Sequence, residues 1–366
     1  MSDRPLVVIT TRLPPATCGI GSYSALLREH WPHLSSPVEF LVVDSADGAR
    51  AAMDGDNVTE FSGNGAKLAA ELVRIGTADV VLHYGARAYH RLGCPVWLPG
   101  VLEKWKQRFG GRLMIIVHEL PGAMPMTSRH FWLGQVDAWI VRRLSRIADA
   151  LVTNTQLHLE KLRSTTGRAD VHLLPVGSNI PVNAKASAPR SATEFVIFGL
   201  PFGRFLTLRK FESNITQWIG AGRLTKLHIV GPVDYEWTPQ ADALIASWPT
   251  TLEVITHGAL PAEEVSAILQ RARFTLTNVT AETWSKSGAF MACAAHGCAV
   301  VVATDRTQDA PFCYAIAAEE LATVSDAEID RRATALARWY LDNADWQVIA
   351  HRMASFWEKG DLARVG

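Results

Sequence analysis

The sequence has little that would direct the chain to nucleic acid or across a membrane. Its 366 residues include 36 lysines and arginines and 36 aspartates and glutamates, so the formal net charge is zero. A chain without a basic excess gives no reason to expect bulk nucleic-acid binding. No apolar run approaches the roughly 18 residues of a membrane-spanning helix, and residues 1–11 lead into a strand without a signal-peptide pattern. These absences predict a cytoplasmic protein.

Cysteines are few, and their spacing suits neither disulfides nor a metal site. The five are odd in number and scattered along the chain: Cys18, Cys94, Cys293, Cys298 and Cys313. Cys293, His296 and Cys298 raise a zinc site as an alternative, but Cys298 lies beyond the predicted helix end and no fourth ligand is apparent. We therefore expect reduced thiols and no metal.

Length and composition predict two globular domains. A chain of 366 residues is too long for one ordinary core, and 48% hydrophobic with 20% charged residues is typical of well-packed proteins. Strand and helix patterns alternate in both halves, as in βαβ units with parallel sheets. The small, polar stretch from Asn183 to Thr193 is the predicted linker.

One stretch, residues 274–304, has the pattern of a complete β-loop-α-β unit. Its loop carries Glu282, Ser285, Lys286, Ser287 and Gly288. Hydroxyls, one anion, one cation and the N–H groups of a helix N-terminus suit a sugar or a phosphate at the carboxyl ends of parallel strands. The alternative is an ordinary loop in which Ser287 only caps the helix.

Two further candidates lie in the first half. Gly19 and Gly21 form a Gly-x-Gly after the first strand, but the third glycine of the dinucleotide fingerprint is missing, so a tight turn without a ligand is the alternative. His118 ends the predicted strand that begins at Arg112, where a side chain would face a ligand crevice. A core histidine is the alternative there.

Cations mark the start of the second half. Arg204, Arg209 and Lys210 follow its first strand in a predicted loop, and they suit a diphosphate unless they form a solvated basic loop.

A long amphipathic helix is predicted from Ser128 to Ala148, with Trp132 and Trp139 on one side and arginines on or near the other. Core packing is the simpler interpretation of its aromatic residues, and peripheral contact with a membrane surface is the alternative.

The order of motifs resembles that of the retaining glycosyltransferases of the GT-B fold, family four. The similar segments are PPATCGIGSYS, IIVHELPG, LVTNTQLHLEKL with LLPVGSNIP, GRFLTLRK, LHIVGP, THGALPAEEVSAIL and ETWSKSGAFMACAAHGCAVVVA. The resemblance implies an α/β chain of two facing Rossmann-like lobes. Residues 1–184 would form the acceptor lobe and 193–340 the nucleotide-sugar donor lobe, with a helical tail, 341–366, crossing back to the first lobe.

The resemblance also implies an activity and residue roles. A hexosyltransferase of polysaccharide biosynthesis type would move a sugar from a nucleotide diphosphate, its co-substrate, to a glycan, lipid-linked or small-molecule acceptor without a further cofactor. Arg204 and Lys210 would clamp the diphosphate between the lobes with the Ser285 to Gly288 loop, and Gly19 and Gly21 would also belong to the donor site. His118 would position the donor sugar, and Glu282 would hold its hydroxyls.

One departure keeps other functions open. The family places a second glutamate eight positions after the first, and counting from Glu282 that position is Phe290. A non-catalytic partner or scaffold with this fold, or an isomerase or phosphorylase, is therefore an alternative.

Overall fold

The computed structural model describes residues 4–16, 18–32, 34, 36–45, 48–49, 53–122, 124–183, 189–304 and 307–362, with side chains up to Trp357. The chain divides into two compact units. The first comprises Met1–Pro175 and Trp346–Gly366, and the second comprises Val176–Asp345. In the part of the chain that the structure describes, no helix is long and apolar enough to cross a membrane.

The first unit is built on a parallel sheet of seven strands in the order β3-β2-β1-β4-β5-β6-β7. Its central strands are continuous apolar runs, as strands covered on both faces must be. The strands are β1 (Leu6–Thr10), β2 (Glu39–Val42), β3 (Asn57–Glu60), β4 (Asp79–Tyr84), β5 (Arg112–Val117), β6 (Ala150–Thr153) and β7 (Val171–Leu173).

Helices connect these strands, and capping residues mark where several of them begin and end. The Asn64 side chain caps one helix by accepting from the N–H groups of Ala66 and Lys67, and Gly110 ends another in the left-handed conformation. The helices are α1 (Gly19–Glu29), α2 (Gly65–Ile75), α3 (Ala86–Tyr89), α4 (Leu98–Phe109), α5 (Arg129–Ile147) and α6 (Gln156–Thr166). Helices α2, α4, α5 and α6 pack side by side in that order.

The second unit contains a parallel sheet of six strands in the order β10-β9-β8-β11-β12-β13. The strands are β8 (Ser191–Phe198), β9 (Lys226–Val230), β10 (Glu253–Gly258), β11 (Ala272–Thr277), β12 (Ala299–Val302) and β13 (Ile316–Ala317). The helices are α7 (Pro201–Gly220), α8 (Thr238–Ile245), α9 (Ala262–Arg271), α10 (Gly288–Ala295) and α11 (Asp326–Asn343).

The predicted linker lies only partly within the described residues, because residues 184–188 fall outside them. Its last part was wrongly placed in a linker, since β8 begins at Ser191 and not at Phe195. Ser191 pairs with Ala272 through the strand ladder. Backbone pairing needs no apolar side chain, so an apolar pattern could not locate this strand start.

The C-terminal helix α12 (Trp346–Leu362) packs on the first unit, as the fold prediction expected. The Trp346 ring lies 4.8 Å from that of Tyr23 at right angles, and the Phe356 ring stacks on His172 at 3.7 Å. Trp339, seven residues before Trp346, does not join this contact, because it packs on Trp284 in the second unit. The two sheets, their helices and this returning tail confirm the predicted fold class.

Candidate functional site

The cations after β8 lie on a helix and not in a loop, so that part of the sequence prediction was wrong. Pro201 stands in the first turn of α7 and Leu200 is its N-cap, so the helix begins within three residues of the strand end at Phe198. Proline suits the first helical turn because its missing N–H has no helical partner there. Arg204, Arg209 and Lys210 are therefore presented on different faces of one rigid element.

Arg204 is buried, with 5% of its surface exposed. Its guanidinium donates one hydrogen bond to the Gly199 carbonyl at 2.9 Å and another to the Pro232 carbonyl at 2.6 Å. Burial lowers the pKa of the guanidinium, and the nearby Asp234 carboxylate partly offsets that effect. The side chain joins the segments that follow β8 and β9, which fixes the edge of the sheet where a ligand would lie.

Gly231 shows how closely these segments approach. Its φ is +137°, and a Cβ built there would lie 2.1 Å from the Gly199 carbonyl oxygen and 2.2 Å from Arg204 Nη1. Any side chain would displace both the backbone and the guanidinium. Gly231 stands in the LHIVGP segment, whose sequence gives no signal for this close approach.

Lys210 faces the end of β11. Its Nζ lies 3.5 Å from the Asn278 carbonyl oxygen, and the Thr207 hydroxyl on the same face of α7 is 3.4 Å from the Asn278 side-chain oxygen. The Lys210 side chain is exposed. Helix α7 thus places one accessible cation beside the carboxyl end of a central strand.

The loop after β11 presents two charges and uses one hydroxyl internally. Glu282 and Lys286 are exposed, whereas Ser285 is buried and its carbonyl accepts from the Val176 N–H at 2.9 Å. The Ser287 hydroxyl accepts from the Phe290 N–H at 3.1 Å and caps α10. The cap that formed the simpler alternative for Ser287 is therefore present, and the two charged side chains remain available to a ligand.

Asn179 is a further residue at this helix start. A Cβ built on Gly288 would lie 3.5 Å from the Asn179 side-chain oxygen, an ordinary contact distance. Asn179 is exposed and follows Ser178, whose N–H donates to the Tyr340 hydroxyl. Its only sequence signal was its place in LLPVGSNIP.

Phe290 occupies the position of the missing second glutamate and is fully buried. It lies in an apolar cluster with Met291 and Val300, and its ring is 6.2 Å from that of Trp284. This side chain is part of the core and offers no polar group to a ligand.

In the first unit, Gly19 and Gly21 differ in the space around them. A Cβ on Gly21 would lie 1.5 Å from the Arg12 carbonyl oxygen, so glycine is required for α1 to approach the segment after β1. A Cβ on Gly19 would meet nothing within 4 Å. Gly21 is explained by the packing of the protein itself, whereas Gly19, the first residue of α1, faces open space.

His118 directly follows β5 and pairs with a second histidine. Its Nε2 lies 3.0 Å from His83 Nδ1, and the two rings stack with centroids 5.2 Å apart. Desolvation lowers the pKa of His118 to about 4, although a hydrogen bond with the Asn154 side chain acts in the opposite direction. His118 is therefore neutral at pH 7, and it can donate or accept a hydrogen bond but cannot supply a positive charge.

A buried carboxyl near the end of β4 was not predicted. The Tyr84 hydroxyl donates to Asp137 Oδ1 at 2.5 Å, and Asp137 is 5% exposed. Desolvation raises the pKa of Asp137 to about 6, against the opposing effects of Tyr84 and Lys161. A single aspartate on a helix gives no signal from which such burial could be deduced.

The prediction that the sequence contains no Asp-x-Asp triplet was wrong, because Asp54-Gly55-Asp56 is one. The Asp56 side chain accepts from Arg28 and from the Val38 N–H, each at 2.9 Å. This carboxylate ties α1 to the start of β2 and so has a structural role.

A groove of about 770 Å³ lies between α2 and α4, apart from every predicted site residue. Among its lining residues are Asn64, Trp97, Trp105, Lys104 and Arg108.

No protein-family model and no curated protein sequence matches the chain. Several solved structures, however, are similar to the chain. The E. coli trehalose-6-phosphate synthase bound with UDP-2-fluoro glucose is similar over 96% of this chain and 98% of its own, with a TM-score of 0.61 at 12% identity. The Burkholderia xenovorans α,α-trehalose-phosphate synthase (UDP-forming), in complex with glucose-6-phosphate, is similar over 97% of this chain and 100% of its own, with a TM-score of 0.61 at 12% identity.

The chain has the GT-B fold. MurG from Acinetobacter baumannii is also similar, with a TM-score of 0.50 at 13% identity over 97% of this chain and 99% of its own. Structural similarity at identities this low shows the fold alone, so the chemistry of the chain has to be argued from its own residues.

Proposed function

We propose that this GT-B chain is a retaining glycosyltransferase that moves a sugar from a nucleotide diphosphate to an acceptor. The observation that carries the proposal is the contact of Lys210 Nζ with the Asn278 carbonyl at 3.5 Å, because Asn278 begins the loop that carries the exposed Glu282 and Lys286 at the carboxyl end of β11. This edge is where doubly wound sheets bind ligands, and it offers two cations to a diphosphate and a carboxylate to sugar hydroxyls.

The proposed roles follow from accessibility. Lys210 and Lys286 contact the diphosphate and stabilise the charge that develops on the leaving group, together with the N–H groups at the start of α10. Arg204 shapes the site through its two carbonyl contacts, and in this proposal the diphosphate accepts from those of its five N–H groups that are not so engaged.

Glu282 holds hydroxyls of the transferred sugar in this proposal. His118, neutral at pH 7, supplies a hydrogen bond and not a charge. Neither role requires a metal or an organic cofactor, since cationic side chains and a helix N-terminus act on the diphosphate.

The partners proposed are a nucleotide sugar and a sugar, lipid-linked or small-molecule acceptor. The solved structures support these classes, because one similar protein is bound with UDP-2-fluoro glucose and another with glucose-6-phosphate. A cytoplasmic location and a part in polysaccharide biosynthesis belong to the same proposal.

The test is calorimetric titration with UDP-, GDP- and ADP-glucose. We expect at least one to bind and the Lys210→Ala variant to bind it about 10- to 100-fold more weakly, the ordinary value of a charge-assisted hydrogen bond. Arg209→Ala is the matched control, because Arg209 lies one residue away but stacks over the Phe205 ring at 5.8 Å. Equal affinity for wild type and Lys210→Ala would refute the role of Lys210.

A non-catalytic GT-B module is the second candidate, and one observation favours it. Phe290 is a core residue where a ribose-binding glutamate would stand in the resembling family. This candidate expects no nucleotide sugar to bind in the same titration. An isomerase or phosphorylase would bind the sugar nucleotide or phosphate but give a different product, so NMR identification of the product and its anomeric configuration separates them.

A further inference from the structure

The outward face of α5 exposes large apolar side chains. Trp132 is 61% exposed and Trp139 is 43% exposed. Seven residues are almost two helical turns, so the two rings lie on one stripe of the helix about 10 Å apart. Met124 and Met126, in the segment that leads into the helix, are also exposed, at 49% and 69%.

The same stripe is cationic. Helix α5 contains four arginines and a single acidic residue, Asp137, which is buried on the other side. Arg129, Arg142 and Arg146 are exposed. Within the described part of the chain, neither Arg129 nor Arg146 has an ion-pair partner, so their charges are not neutralised by a carboxylate.

The inward face of α5 holds the helix in place. Ile140, Val141 and Leu144 are buried in the core of the first unit. The helix can therefore lie along a surface but cannot leave the domain to insert. Core packing, the simpler interpretation of the aromatic residues, is therefore wrong for Trp132 and Trp139, which are exposed, whereas the aliphatic side chains form the core contact.

We propose that this α5 face, formed by Met124, Met126, Arg129, Trp132, Trp139, Arg142 and Arg146, binds the surface of an anionic lipid bilayer. Tryptophan rings favour the headgroup region, where one part of the ring is apolar and the N–H is solvated. Arginines beside them attract anionic headgroups while their stems cover apolar surface. One carboxylate lies beside the stripe: Glu103 pairs at 2.7 Å with Arg143, whose guanidinium stacks over the Trp139 ring, so its negative charge is matched by a cation. The proposal goes beyond sugar transfer and does not depend on it.

The experiment is sedimentation of the full chain with vesicles of phosphatidylcholine alone or of phosphatidylcholine and phosphatidylglycerol at 3:1. We expect binding to the anionic vesicles at 50 mM salt and much weaker binding at 500 mM salt, because exposed charges are then screened. Arg129→Gln with Arg146→Gln should weaken binding roughly 30-fold, since one interfacial arginine contributes about fivefold. Trp132→Ser with Trp139→Ser should weaken it at least roughly tenfold.

Matched controls change the same residue types elsewhere. Leu92→Ser with Leu341→Ser removes two side chains that are 55% and 57% exposed, and Arg91→Gln with Arg338→Gln removes the same charge as the arginine pair. Both controls should bind vesicles as the wild type does. All variants should keep the wild-type melting temperature, because every changed side chain is at the surface.

Three outcomes would overturn the proposal. The wild type could fail to bind anionic vesicles, it could bind neutral vesicles equally well at all salt concentrations, or the control variants could lose as much binding as the α5 variants. Sedimentation velocity without lipid tests whether a second copy of the chain, and not a membrane, covers this face. Self-association abolished by the tryptophan variants, with no vesicle binding, would assign the face to a second copy of the chain. None of these measurements requires a sugar donor, so the outcome is independent of the proposed transferase activity.

Discussion

Replacement of Arg204 by methionine is the sharpest test of how the second sheet's edge is held together. Methionine keeps most of the side-chain volume but removes both hydrogen bonds, to the carbonyls of Gly199 and Pro232. Each of these part-buried carbonyls left without a donor costs about 1 to 3 kcal/mol. Part of that loss is recovered, because the guanidinium no longer has to be desolvated, which is the effect that lowers its pKa.

The net loss in the free energy of unfolding should be about 2 to 4 kcal/mol. For a unit of this size, that corresponds to a fall of roughly 5 to 15 °C in melting temperature. The assay is calorimetry on the full chain, with each unfolding transition resolved, beside circular dichroism in urea. Arg209→Met is the control, and it should change stability by less than about 0.5 kcal/mol because Arg209 is exposed.

Donor affinity gives the second measurement on the same variant. We expect Arg204→Met to lose both stability and nucleotide-sugar affinity, the latter by about 1.5 to 3 kcal/mol, whereas Lys210→Ala should lose affinity alone. A melting temperature equal to that of the wild type would refute the structural role of Arg204. Lost stability with unchanged donor affinity would instead remove it from the diphosphate site.

Three further predictions concern the first unit. Gly21→Ala should destabilise the protein by more than about 2 kcal/mol in urea titration, because its Cβ would overlap a backbone carbonyl, and a neutral effect would contradict the packing described. The pKa of Asp137 is raised to about 6 in the folded state, so the free energy of unfolding of the wild type falls as pH rises from about 4 to 6. Asp137→Asn lacks this ionisation and should become more stable than the wild type by up to about 3 kcal/mol across that range. Urea unfolding of both proteins at each pH measures the difference. His118→Ala should lower turnover roughly a hundredfold without changing donor affinity. The turnover of the wild type should show no titration of His118 between pH 6 and 8, because the pKa of this histidine is lowered to about 4.

The architecture was accessible from the sequence because its signals are local. Strands that are buried on both faces are mostly apolar, so β4, β5 and β11 could be located from a few consecutive residues, although β4 also buries Asp79 and His83. Helix ends depend on neighbouring residues as well. Asn64 caps α2 through N–H groups two and three positions away, and Gly110 ends α4 through its own backbone conformation. The order of short motifs then indicated the two-lobed fold that the solved structures confirm.

The state of each candidate site residue depended on tertiary contacts. Arg204 donates a hydrogen bond to the carbonyl of Pro232, which lies 28 residues along the chain, and His118 contacts the ring of His83, 35 residues away. Gly21 is required by the packing of the protein itself, because a Cβ there would overlap the carbonyl of Arg12. Residue type and spacing show which chemistry a side chain could perform, whereas burial and hydrogen-bond partners determine whether it is available to perform it. Those partners are set by the packing of sheet and helices, which no short stretch of sequence contains.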